Sequence, residues 1–207
     1  MNDAVIKKPI YKKWWFWVIV VIVIAAIGKS GDKDDKSSSS SNSASSATSN
    51  LPPMPPQEES FIKAIGQAQN DSKNAENDMQ KGGILATRNT SVCGLMTNKS
   101  VNNWVGKVQK IDANSDGKGV IGIEIARNIV LKTWNNDLSD IGDNTLLSPS
   151  SPLFQTASML KKGQSVNFSG TFLPGRDGEC IREGSLSLSG KLRDPEFIFR
   201  FTSISAN

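Results

Sequence analysis

Asp137, Asp140 and Asp143 recur at every third position of WNNDLSDIGDNT and are the first residues to consider for chemistry. Carboxylates gathered in one loop can hold a cation, or divide into a general acid and a general base as in glycoside hydrolysis. The same composition also suits a solvated, turn-forming loop, the plainer reading. Asp112, Asn114, Asp116 and Gly117 match the first half of a calcium loop, D-x-N-x-D-G. The position where a bidentate Glu should close that loop is Ile123, and Glu124 comes one residue late, so a hairpin turn explains these residues better. The chain contains no histidine. Ser-His-Asp and Cys-His nucleophiles and the commonest zinc ligand are therefore excluded together. The expectation is a non-enzyme with no catalytic residue, no metal and no cofactor.

Residues suited to binding are more promising. Trp104 and Trp134 begin and end one stretch of alternating sequence, and with Lys107 and Arg200 they form the expected ligand-contact surface, aromatics and cations together. Packing in the core or at its rim is the competing reading for both tryptophans. Phe197, Phe199 and Phe201 alternate with Ile198, Arg200 and Thr202, which puts three rings on one face of a strand and marks them as core. Cys93 and Cys180 are the only cysteines. In an exported domain an even pair is most simply one structural disulfide, with two buried thiols as the alternative. The whole chain carries a formal charge of +4, but much of that comes from lysines before residue 14. The C-terminal part is close to neutral and has no basic stripe, so no nucleic-acid partner is expected.

The compartment follows from Trp14 to Ile27, WWFWVIVVIVIAAI, which contains no charge. In lipid such a segment satisfies its own backbone as a helix; extended through Gly28 it reaches roughly 22 Å at about 1.5 Å per residue. That is short for a bilayer core of about 30 Å, and Lys12, Lys13 and Lys29 would snorkel while the bilayer thins. Lys7, Lys8, Lys12 and Lys13 on the leading side favour an N-terminus inside, and Trp14, Trp15 and Trp17 suit the interface. A single-pass membrane protein with an extracytoplasmic C-terminal domain is expected, attached through residues 14–28. Secretion after cleavage near Ala26 to Gly28 is the alternative.

The expected organisation is a cytoplasmic tail and anchor over 1–28 and a disordered Ser/Pro-rich linker over 29–59, too polar to offset its ordering entropy. A helical segment over 60–100 then packs on an OB-like β-barrel over 101–207. Phe61, Ile65, Ala68, Ser72, Ala75 and Met79 recur at helical spacing, with Ser60 as N-cap and Gly82 and Gly83 as stop signals. WVGKVQKID, VIGIEIA and NIVLKTW read as strands, Pro152 to Lys162 as a helix, and SVNFSGTFL, CIREGSLSLSG and PEFIFRFTSI as further strands. Strands, then a helix, then strands is the order of an OB-fold within an α+β, β-rich class.

KKPIYKKWWFWVIVVIVI followed by a serine tract resembles the anchor of small bacterial envelope proteins of unassigned function. WVGKV, KTWNNDLSD, LKKGQSVNFSGTF and PEFIFRF are similar to bacterial OB-type domains grouped as tRNA-anticodon-like. The resemblance implies architecture and a bacterial membrane setting, with no tRNA contact and no transferable catalytic residue. Three functions are carried forward. The first is a binding module for a protein or glycan ligand in the envelope, the second an immunity or phage superinfection-exclusion type interaction protein, and the third a carboxylate-dependent hydrolase.

Overall fold

The computed structural model describes residues 53–176 and 179–207. The expected anchor at 14–28 and the linker up to residue 52 lie outside the described residues. Among the described residues no helix is long and apolar enough to cross a membrane.

Helix α1 (Pro56–Lys73) starts four residues before Ser60, inside the stretch assigned to the linker. Pro56 suits the first turn, where its missing N–H has no intrahelical role. Glu58 and Glu59 near the start and Lys73 near the end agree with the helix dipole. Ser60 is not the N-cap; its hydroxyl donates to the Pro56 carbonyl at 2.8 Å. The single helix expected through Met79 is two helices, because the chain breaks between Lys73 and Asp78. Helix α2 (Asp78–Leu95) restarts with Asn77, whose side chain accepts from the Gln80 N–H at 3.0 Å while Gln80 accepts from the Glu76 N–H at 2.7 Å. This reciprocal cap satisfies backbone donors that a helix start leaves orphaned. Met79 is consequently exposed, and Gly82 and Gly83 lie within α2 instead of ending a helix. Two internal glycines cost about 1 kcal/mol each; burial of Val92 and the Cys93–Cys180 bridge in the later turns oppose that cost.

Strands β1 (Ser100–Ala113), β2 (Gly119–Ala126), β3 (Ile129–Lys132), β4 (Ser165–Phe172) and β5 (Glu196–Ala206) close into a barrel in the order β1-β2-β3-β5-β4. Only β3 and β5 pair in parallel. With short helices α3 (Asp137–Asp140) and α4 (Pro152–Ser158) between β3 and β4, this mixed α+β domain is an OB-like barrel. β1 closes the barrel because it serves two neighbours: Trp104 pairs with Phe168 of β4, while Ile111 pairs with Ile121 of β2. Glycines permit the closest crossings. A Cβ at Gly106 would stand 2.5 Å from an Ile123 methyl, and one at Gly170 would stand 2.2 Å from the Arg200 carbonyl oxygen.

Two expected elements differ. The helix from Pro152 ends at Ser158, short of Lys162. CIREGSLSLSG is not a strand: Ile181 and Glu183 form isolated bridges to Pro174 and Phe197, and Leu188–Arg193 forms helix α5, capped by Ser187, which accepts from the Gly190 N–H at 3.0 Å. Its alternation of leucine and serine mimicked a strand, but Ser187 supplies a helix start.

The core is an aromatic cluster. Phe197, Phe199 and Phe201 all point inward, as their alternation requires, and meet Phe168 and Phe172 from β4. Phe61 of α1 inserts among Trp104, Phe172 and Phe197 with ring centroids 5.3–5.5 Å apart. Cys93 and Cys180 form a disulfide with Cα atoms 5.3 Å apart, joining α2 to the β4–β5 connection. Beside it, Arg88 reaches Glu183 at 2.8 Å in a fully buried pair and donates to the Lys191 carbonyl at 2.6 Å.

Candidate functional site

The four residues expected to contact a ligand separate into three places. Trp104 is fully buried in the barrel core, so it is withdrawn as a contact residue; its strand position points inward. Lys107 is exposed and lines a slot of about 410 Å³ with Met54, Val105, Ile125, Ala126 and Arg127. This slot opens where β1 and β2 part, since their pairing ends at Lys107 and Glu124.

Trp134 and Arg200 do come together, through Asp143. The Trp134 indole Nε1 donates to the Asp143 carboxylate at 2.8 Å, and Arg182 donates to the same oxygen. The exposed Arg200 guanidinium donates twice to the Asp143 backbone carbonyl, at 3.1 and 2.5 Å. One aspartate thus holds a half-buried tryptophan, a mostly buried arginine and the exposed Arg200 together. Sequence reasoning missed Arg182, because its contact spans 39 residues and leaves no local signal.

The loop that carries Asp143 is tied by its own hydrogen bonds. Asp140, buried, accepts from the Thr145 N–H and hydroxyl, each at 2.7 Å, and from the Leu146 N–H at 3.2 Å. Asn136 caps α3 by accepting from the Ser139 N–H at 2.9 Å. Gly142 and Asn144, with φ of +77° and +49°, make the turn into Asp143 and out of it. Exposed Leu138 and Ile141 sit on the same loop.

The three aspartates therefore do different work. Asp140 ties the loop and Asp143 gathers the tryptophan and arginines, while Asp137 accepts from Lys118 at 2.6 Å and from Asn114 at 3.2 Å. Hydrogen bonding to Asp116 and Lys118 holds the Asp137 carboxyl below its usual range, and the same contact raises Asp116. The half-loop resembling a calcium site is a hairpin turn. Asn114 accepts from the Asp116 and Lys118 N–H groups, and Gly117 supplies φ of +76°. Among the described residues no cluster of acidic or cysteine side chains could hold a metal ion.

Glu58 is a second residue with no sequence signal. Its carboxylate accepts from the Val105 N–H at 2.9 Å, where β1 has left β2, while its other oxygen and the Trp104 Nε1 are buried without partners. Burial pushes its pKa up to about 7, against the pull of the Val105 N–H. The folded state therefore binds a proton more tightly than the unfolded chain. Stability is unimpaired by this group below the unfolded value near 4.5, falls as pH rises from there to about 7, and is then level. The fall should total about 3 kcal/mol. The difference between the parent and Glu58→Gln in urea unfolding between pH 4.5 and 8 measures it, because Glu183, also raised by burial, adds the same slope to both; an unchanged slope in the variant would refute the assignment.

Barrel and surface together define a β-rich α+β protein of OB-like architecture, with a loop whose Asp143 gathers Trp134, the mostly buried Arg182 and the exposed Arg200. No protein-family model matches the chain, and neither a curated protein nor a solved structure matches it.

Proposed function

We propose that this chain is a membrane-anchored, extracytoplasmic binding module without catalysis of its own, engaging a protein or glycan ligand in the envelope. The observation that carries the binding reading is the convergence of Trp134, Arg182 and Arg200 on Asp143. Tryptophan and arginine dominate the energetics of interfaces, and here the loop is held in place before any ligand arrives. The uncharged stretch Trp14 to Ile27 supports the anchor, and the Cys93–Cys180 bridge supports an oxidising compartment.

Crosslinking of the full chain in its native envelope tests this reading. Trp134→Ala and Arg200→Ala should each weaken capture of the same partner by about 30-fold, the size of a 2 kcal/mol hot spot, with little change in melting temperature. Undiminished capture by both variants would remove the surface. The contact between the Asp116 and Asp137 carboxylates, which raises the first and lowers the second, supports carboxylate chemistry as the second reading. Asp116→Asn with Asp137→Asn separates the two, since a binding module keeps capturing its ligand while a hydrolase loses turnover. Recovery of the intact chain from cytosol with two alkylatable thiols would overturn the location.

A further inference from the structure

We propose that a second groove, lined by Lys73, Arg127 and Arg193, binds an anionic polyol chain, that is, sugar or glycerol units bearing phosphate or carboxylate groups. Three separate elements supply the cations: the last turn of α1, the β2–β3 turn and the last turn of α5. They line one concavity of about 570 Å³, a size that accommodates a small ligand or a few units of a chain. Between them stand the amides of Gln69, Asn70 and Asn128. Cations answer the charge of such a ligand, and amides, donors and acceptors at once, answer its hydroxyls.

The walls are fixed by bonds that leave the charges available. Gln69 donates to the Arg193 backbone carbonyl at 3.0 Å, which pins α5 to α1. Glu124 accepts from the Asn128 N–H at 3.0 Å and so fixes the turn that presents Arg127, with which it forms no ion pair. Lys73 donates to Asn70 at 2.9 Å. Among the described residues neither Lys73 nor Arg127 forms an ion pair. Arg193 has only Asp194 at 3.9 Å, with both side chains mostly exposed. Asp194 is the one acidic residue of the lining.

The chemistry of the lining selects the ligand class. It has no aromatic ring on which a base could stack and no apolar side chain that could anchor a protein or enter an acyl layer. Its cations lie around a concavity, where a narrow chain reaches more of them than a flat bilayer does. This site is separate from the Trp134 surface and does not depend on it.

The full chain in neutral detergent is titrated with polygalacturonate and with poly(glycerol phosphate), using neutral dextran, a polynucleotide and phosphatidylglycerol vesicles as the other arms. Saturable binding of at least one anionic polyol is expected, weakening steeply as salt rises from about 50 to 200 mM. The triple substitution Lys73→Gln, Arg127→Gln, Arg193→Gln should lower that affinity at least about tenfold, with the melting temperature kept because these side chains are exposed. Trp134→Ala and Arg200→Ala should leave it unchanged, so the two surfaces fail or stand independently. The proposal is overturned if the triple variant binds like the parent, if dextran binds equally, or if only the polynucleotide or the vesicles bind.

Discussion

Trp104→Ala should lower the stability of the folded domain by about 3–5 kcal/mol, the usual range for removing a buried aromatic. For a domain of this size that corresponds to a melting temperature lower by roughly 10–15 °C. The indole is fully buried and packs on Phe61 at 5.5 Å and on Phe172 at 5.8 Å, so its loss leaves a cavity bounded by α1, β1 and β4 that close packing elsewhere cannot fill. Trp104→Phe separates packing from polarity. It keeps a ring between Phe61 and Phe172 and removes an indole N–H that has no partner, whose burial costs about 1–3 kcal/mol. The phenylalanine variant should therefore lie within about 1 kcal/mol of the parent and should capture ligand normally. Thermal and urea unfolding of both variants decide the matter. Equal destabilisation by alanine and phenylalanine would mean that the indole nitrogen matters to the fold.

Loss of the Cys93–Cys180 bridge should have an effect of similar size. The bonded residues are 87 apart in sequence, and closing so long a loop in the unfolded chain contributes about 4–5 kcal/mol in the chain-entropy account. Cys93→Ala with Cys180→Ala should lower the melting temperature by about 10–15 °C, and reductant should do the same to the parent but nothing further to the variant. The damage should be felt first where α2 meets the β4–β5 connection. Arg88 and Glu183 there are almost fully buried, and burial already pushes the Glu183 carboxyl up against the pull of Arg88. Separating such a pair leaves two charges without compensation in a poorly solvated place. Hydrogen exchange of the α2 amides, faster in the reduced protein than in the oxidised one, would locate the effect. A melting temperature unaltered by reductant would show that packing alone holds α2.

The two predictions rest on features of very different visibility in the sequence. The bridge was accessible because a chain with only two cysteines leaves little choice of pairing. The core role of Phe197, Phe199 and Phe201 was accessible because alternation with Ile198 and Arg200 puts them on one side of β5 whatever the rest of the chain does. The inward direction of Trp104 was not, since the same period assigns it to a face without saying which face the barrel closes over. The same ambiguity affected the leucine and serine alternation of SLSLSG, which served a helix cap, and Gly82 and Gly83, which a well-formed start at Asn77 carried inside α2.

What the sequence determined by itself was therefore local: the strands that alternate, the absence of histidine chemistry, the paired sulfurs and the uncharged stretch near the N-terminus. These follow from residue type and short spacing, which act within a few residues of chain. Only tertiary packing, barrel closure and the docking of α1 and α5 together, decided that Asp143 meets Trp134, Arg182 and Arg200, that Glu58 loses its water, and that Lys73, Arg127 and Arg193 line one groove. Each is a meeting of segments remote in sequence, fixed by which faces pack and which strands pair, and no spacing along the chain encodes it.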